Sequence, residues 1–267
     1  MRSKRGGVGY GDTSPPLIES HRMSQAPVSY LDANCTLGRF PHHDRGIAEL
    51  ADLSATLEEL GIGAGVVRHA LGQHASAEEA NSALATELQP DPRWIPCWVV
   101  NPAQDTDGLD VVPGDQLRAV CLYPRRHGYP LAPWMVEQVL APLEKRRVVT
   151  LIDVDETTPK ELYTLCQAYQ GLRVVALTTG YRLLGVLSRL LATCPNLHVE
   201  LSTMAAHRGI EALVERHGAE RLLFGTNTPL SDGIGPVAAL GYAAISEGDR
   251  ALIARGNLER LLGEVRR

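Results

Sequence analysis

The residues of this chain best suited to chemistry sit where apolar runs end in short polar breaks. Asn34 and Thr36 follow Tyr30-Leu31-Asp32-Ala33, Asp153 closes Val149-Thr150-Leu151-Ile152, Thr178 follows Leu177, and Asn227 follows Leu222-Leu223-Phe224-Gly225-Thr226. These five offer one carboxylate, two amides and two hydroxyls. All can hydrogen-bond, but only Asp153 can take or give a proton near neutral pH. A carboxylate at the end of an apolar strand is costly to bury unless it is paired or used as an acid or base. Tyr123, Arg125, Arg126 and His127 follow another apolar run, and two adjacent guanidiniums could clamp a carboxylate or phosphate. His69 closes the run Val66-Val67-Arg68, and Glu200 and Tyr181-Arg182 fall after further runs as partners for Asp153. The plain alternative is that the neutral residues satisfy one another by hydrogen bonds and that the arginines belong to a solvated loop.

These breaks need elements to hold them. Apolar strand-like runs at Val28–Asn34, Gly65–Ala70, Trp94–Val100, Leu117–Leu122, Val148–Val154, Leu172–Leu177, Leu197–Leu201 and Arg221–Gly225 alternate with helical patterns. The helices are expected over Arg45–Leu60, Ala77–Leu88, Pro133–Lys145, Pro159–Tyr169, Tyr181–Ala192 and Gly209–His217, with a pair at the C-terminus. The connection from Asn101 to Gln116 has little helical periodicity. Eight strands with crossover elements between them imply a parallel sheet closed into a (β/α)8 TIM barrel, whose polar strand ends collect on one face.

Composition narrows the function. The chain has 267 residues, 44% of them hydrophobic, which suits a single barrel over 28–267. Residues 1–27, rich in glycine, proline and arginine, are expected to form a flexible N-terminal extension. With only 2 Phe and 3 Trp, the core must be built mostly from Leu, Val, Ala and Ile. A net charge of -5 gives no basic footprint, so nucleic acid is not an expected partner. No apolar run approaches a membrane span, and a cytoplasmic location is expected. The five cysteines have neither disulfide-scaffold nor zinc-knuckle spacing and read as free buried thiols. No Walker or dinucleotide fingerprint supports nucleotide binding. The expected partner is a small-molecule substrate, and a homo-oligomer is compatible with everything in the sequence.

Several of these segments also resemble a known family in the right order. Tyr30–Gly38 resembles the D-x-H-x-H-x-G opening of the amidohydrolase-related, metal-dependent hydrolase family. Arg221–Pro229 resembles its R-L-L-F-G-T-D-x-P strand end. Trp98–Pro102, Ala119–Pro124 and Ile253–Leu262 are similar to its third-strand, fourth-strand and terminal-helix motifs. The resemblance implies a TIM barrel and a small carboxylated substrate. It also implies that the family's metal-binding histidines fall on Asn34, Thr36, Asp153 and Thr178, and its metal-binding, proton-accepting Asp on Asn227.

Such a set is a poor zinc site, because zinc takes nitrogen, sulfur and carboxylate donors. No cofactor is expected. The oxygens of Asp153, Asp155, Asn34 and Asn227 leave room only for a weakly held Mg²⁺ or Ca²⁺. The leading expectation is a metal-independent hydrolase, lactonase, decarboxylase or lyase. In it Asp153, Asn34 and Asn227 are catalytic, while Arg125, Arg126, His127, Tyr123, Thr178, Thr36 and His69 bind substrate. The alternatives are a catalytically silent barrel, binding a small molecule or serving a partner subunit, and a hydrolase with a weakly bound hard cation. His42-His43 and Cys35 are expected to play no part.

Overall fold

A computed structural model describes residues 29–41, 44–74, 76–88, 91–104 and 116–266. The expected extension at 1–27, the pair His42-His43 and most of the connection after Asn101 lie outside these residues. Eight strands form one sheet in sequence order: β1 Tyr30–Leu37, β2 Ile62–His69, β3 Trp94–Val99, β4 Ala119–Leu122, β5 Val149–Asp153, β6 Arg173–Leu177, β7 Leu197–Glu200 and β8 Leu222–Leu223. Every neighbouring pair is parallel. The ring closes between β8 and β1, where Ala33 N donates to Phe224 O at 3.0 Å and Thr36 N to Thr228 O at 2.8 Å. This is the (β/α)8 barrel that the alternating pattern implies.

Side-chain alternation divides the apolar residues between two layers. Val66, Cys97, Val99, Ala119, Cys121, Val149, Leu151, Val175, Leu177 and Leu223 pack together inside the barrel. Leu37, Val67, Trp98, Val120, Leu122, Ile152, Val174, Val199 and Phe224 pack outward, together with helix residues such as Leu53, Leu57, Leu140 and Leu165. Strand β1 breaks the alternation twice, with register shifts between Tyr30 and Asp32 and between Asp32 and Cys35. The shifts carry both Leu31 and Asn34 toward the interior.

Local chemistry sets the helix ends. The helix Pro159–Ala168 opens with Pro at its first turn and a reciprocal capping box between Thr158 and Glu161. The first helix starts at Leu50 rather than near Arg45, because Gly38 N donates to Ile47 O at 2.7 Å and ties that segment to the end of β1. Strand β8 is shorter than the apolar run Arg221–Gly225. Phe224 N leaves the ladder to donate to Ile253 O at 3.0 Å in the C-terminal helical segment. Asn257, in the terminal-helix motif, anchors that segment by donating through Nδ2 to Ala219 O at 2.7 Å and Leu222 O at 2.9 Å. No helix among the described residues is long and apolar enough to cross a membrane.

Candidate active site at the carboxyl ends of the strands

The carboxyl ends of β1, β2, β4, β5, β6, β7 and β8 bring together a ring of polar groups, and its hub is Asn34. The carbonyl oxygen of Asn34 accepts from Nη2 of Arg68, and its amide nitrogen donates to Glu200 Oε2 at 3.1 Å. A guanidinium on one side and a carboxyl on the other thus fix which end of the carboxamide points where. Arg68 is paired in register with Thr36 and is 1% exposed. Its Nε has no hydrogen-bond partner. Charge on Tyr123, Asp153, Cys121 and Cys97 acts on the guanidinium and raises its pKa against the opposing effect of burial.

Glu200 is the most enclosed carboxyl of the ring. Oε2 accepts from Asn34 Nδ2, from Thr178 N at 3.2 Å and from Ser202 Oγ at 2.9 Å, while Oε1 accepts from Ser202 N. Burial pushes its pKa up to about 7, against the pull of these donors. Gly225 makes this burial possible, because a Cβ there would meet Glu200 Oε1 at 2.4 Å. Asp153 is half-buried, and Oδ1 accepts from Asp155 N at 3.1 Å, so the carboxylate also caps the short turn that follows β5. Among the described residues it forms no ion pair with Arg68, although its charge acts on that guanidinium.

The remaining ring members are held by backbone. Thr178 and Asn227 adopt the left-handed conformation, with φ of 49° and 57°, which Asn tolerates and a β-branched Thr seldom adopts. The Thr178 Oγ1 is buried without a partner, whereas Asn227 Nδ2 donates to Ser231 Oγ at 3.4 Å. Thr36 is buried at the β8–β1 seam, where its N–H bonds Thr228. Tyr123 is buried, its hydroxyl has no partner, and burial raises its pKa well above the ordinary phenol value, with Arg68 opposing.

The other sequence candidates sit outside this ring. His69 follows Arg68 and therefore points to the outer face. There its Nε2 lies 3.3 Å from Glu87 Oε2 without hydrogen-bond alignment, and burial lowers its pKa. Arg126 ion-pairs with Glu156, whose Oε2 also accepts its backbone N–H at 3.0 Å. Arg125 is exposed. His127 Nε2 lies 2.9 Å from Gly72 O, and its ring packs edge-on to Tyr123 at 5.6 Å. Cys35 Sγ donates to Val66 O at 3.3 Å, and all five thiols are buried and free.

Arg68 and Ser202 are the ring members that the sequence reading did not single out, and Glu200 entered it only as a partner for Asp153. An arginine inside an otherwise apolar strand was the available signal for Arg68. Among the described residues, no group of three or more His, Cys, Asp or Glu is placed to hold a metal ion.

Fold and ring together define a parallel barrel that gathers its polar and ionisable side chains on the face where such barrels place their sites. A family model described as Amidohydrolase matches residues 37–263, and the chain belongs to that amidohydrolase family. No curated protein matches the chain in sequence.

Among solved structures, an amidohydrolase from Burkholderia multivorans with bound zinc superposes with a TM-score of 0.70 at 13% identity, covering 88% of this chain and 99% of the other. A dihydroxybenzoic acid decarboxylase from a Polaromonas species, with manganese and the inhibitor 2-nitroresorcinol, gives 0.67 at 14% identity over 88% and 97%. A 2-pyrone-4,6-dicarboxylic acid hydrolase (putative) from Pseudomonas putida gives 0.63 at 19% identity over 90% and 99%.

Proposed function

We propose that the barrel is an enzyme acting on a small carboxylated molecule, by hydrolysis of a lactone-like ester or by decarboxylation, without a metal ion. The observation that carries this reading is a pair of carboxyl groups in contrasting surroundings on one barrel face. Asp153 is half-buried at a strand end, whereas Glu200 is enclosed and has a pKa raised to about 7. Two carboxyl groups whose surroundings differ in this way suit different roles, the accessible one meeting substrate and the enclosed one holding a neighbour in place. Asp153 is the acid or base that meets the substrate. Asn34 and Asn227 orient the reacting group, and Thr178, Thr36 and Tyr123 line the site. Glu200 is a positioning residue that acts through Asn34. The two similar structures described as a decarboxylase and a pyrone dicarboxylate hydrolase support this substrate class.

The donor set does not fit the zinc or manganese of those neighbours. Asn34, Thr36, Thr178 and Asn227 are neutral, and the Asn34 carbonyl already receives a guanidinium. A divalent ion beside Arg68 would meet a like charge in a poorly solvated place.

The test is turnover of a panel of hydroxybenzoates and pyrone or lactone carboxylates by protein exhaustively treated with chelator. Asp153→Asn is expected to lower kcat by about 100-fold or more on any active substrate. Full activity in Asp153→Asn, or activity abolished by chelation and restored by metal, would sink the reading.

A further inference from the structure

Arg68 is hard to explain as a structural residue. It is enclosed at the barrel mouth, yet among the described residues no carboxylate lies within ion-pair distance of it. One hydrogen bond goes to a neutral amide oxygen, and Nε is left without an acceptor. A buried guanidinium is ordinarily matched by a carboxylate in the bidentate geometry its fork favours. The groups around it are Asn34, Tyr123 with its own unpartnered hydroxyl, and the half-buried Asp153 across the strand ends. The resemblance noted in the sequence places two of the family's metal-ligand positions on Asn34 and Asp153. The guanidinium contacts the first of them directly and lies on the same barrel face as the second.

We propose that Arg68 takes the station of the absent metal ion and receives the anionic oxygens of a small carboxylate, with Tyr123 as an additional donor. This deepens the reading given under Proposed function and rests on it for the reaction, but not for the binding. A guanidinium supplies positive charge and two parallel donors, so it selects planar carboxylates over neutral isosteres. It is always protonated, and recognition of the anion therefore does not depend on loading a cofactor.

Calorimetry on the whole chain tests the proposal with benzoate, phthalate and 2,6-dihydroxybenzoate, each paired with its neutral amide. The wild-type protein is expected to bind at least one acid and to bind its amide about tenfold more weakly or worse. Arg68→Met is expected to lose at least about tenfold in affinity for the acid while its affinity for the amide is unchanged. If Arg68→Met does not fold, Arg68→Lys keeps the charge and loses the fork, and a weakening of about threefold or more is expected.

Equal affinity for the acid in wild type and a folded variant overturns the proposal, as does failure of the wild type to bind any acid of the set. Turnover that survives Arg68→Met defeats this inference alone. Acid binding that depends on Arg68, with no turnover of any carboxylate, defeats only the enzymatic reading.

Discussion

Two carboxylates of the same residue type, Asp32 and Asp153, sit in different parts of the barrel and show how much surroundings decide. At the β8–β1 seam, Asp32 accepts from Asn34 N at 2.8 Å, Thr226 N at 3.0 Å and Thr226 Oγ1 at 2.5 Å, and it is fully enclosed. Its acceptor capacity is spent on joining the first strand to the last. At the mouth over β2, β4 and β5, Asp153 makes one hydrogen bond to its own turn and is half-buried. At the seam the carboxylate is fully satisfied and one threonine hydroxyl, Thr228 Oγ1, is left over, whereas the mouth keeps an unpartnered guanidinium nitrogen, phenol and threonine hydroxyl. A carboxylate whose acceptors are all matched serves architecture; one left with a single bond beside an unmatched cation and phenol is prepared for something else.

The sharpest way to break this contrast is to ask the mouth to hold zinc. Changing Asn34→His, Thr36→His, Asp153→His, Thr178→His and Asn227→Asp together supplies a zinc-type donor set. With Arg68 in place, elemental analysis is expected to find well under one zinc per chain. Adding Arg68→Met is expected to bring the content to about one, and such coordination is worth on the order of 10 kcal/mol. Stoichiometric zinc in the five-residue variant would mean that the guanidinium does not stand on the metal's station.

The seam is probed by Asp32→Ala, which strands three donors in an enclosed place. A loss of about 3–5 kcal/mol in urea unfolding is expected. A loss below about 1 kcal/mol would show that the first and last strands are joined by their backbone alone.

The smallest effect is one of pH. The folded-state pKa of Glu200, about 7, lies above its ordinary 4.5, so the folded protein holds that proton more tightly than the unfolded chain. Its stabilising contribution is complete below pH 4.5 and is lost as pH rises through 7, amounting to about 3 kcal/mol. Asp32 is shifted in the same direction by burial. Glu200→Gln is therefore expected to flatten the decline in stability between pH 4.5 and 7.5, and unfolding curves with the same pH dependence as wild type would refute the assignment.

The eight-strand rhythm was legible because period-two and period-3.6 patterns report directly on which faces are buried. The boundaries of β8 were not, since Phe224 exchanges its ladder partner for Ile253, a residue 29 positions away whose approach no local pattern announces. The ring members at the ends of β1, β5, β6 and β8 were legible as polar breaks in apolar runs, and their grouping follows from the closed barrel. Arg68 was passed over for His69 because parity inside a strand is invisible until a neighbour fixes the register. The pairing of Thr36 with Arg68 is what turns arginine inward and histidine outward. Ser202 was missed because its contacts reach Glu200 only after the chain leaves β7.

The Asn34 carboxamide carries an evolutionary consequence. Its oxygen faces a cation and its nitrogen faces a carboxyl, so one short uncharged side chain answers both neighbours at once. A protonated histidine at that position would set an N–H against Arg68, and aspartate would set an oxygen against Glu200. Neither neighbour can be changed first without orphaning the amide. The three side chains are thus held together as by a ratchet: each single change among them passes through a protein with a buried polar group unmatched.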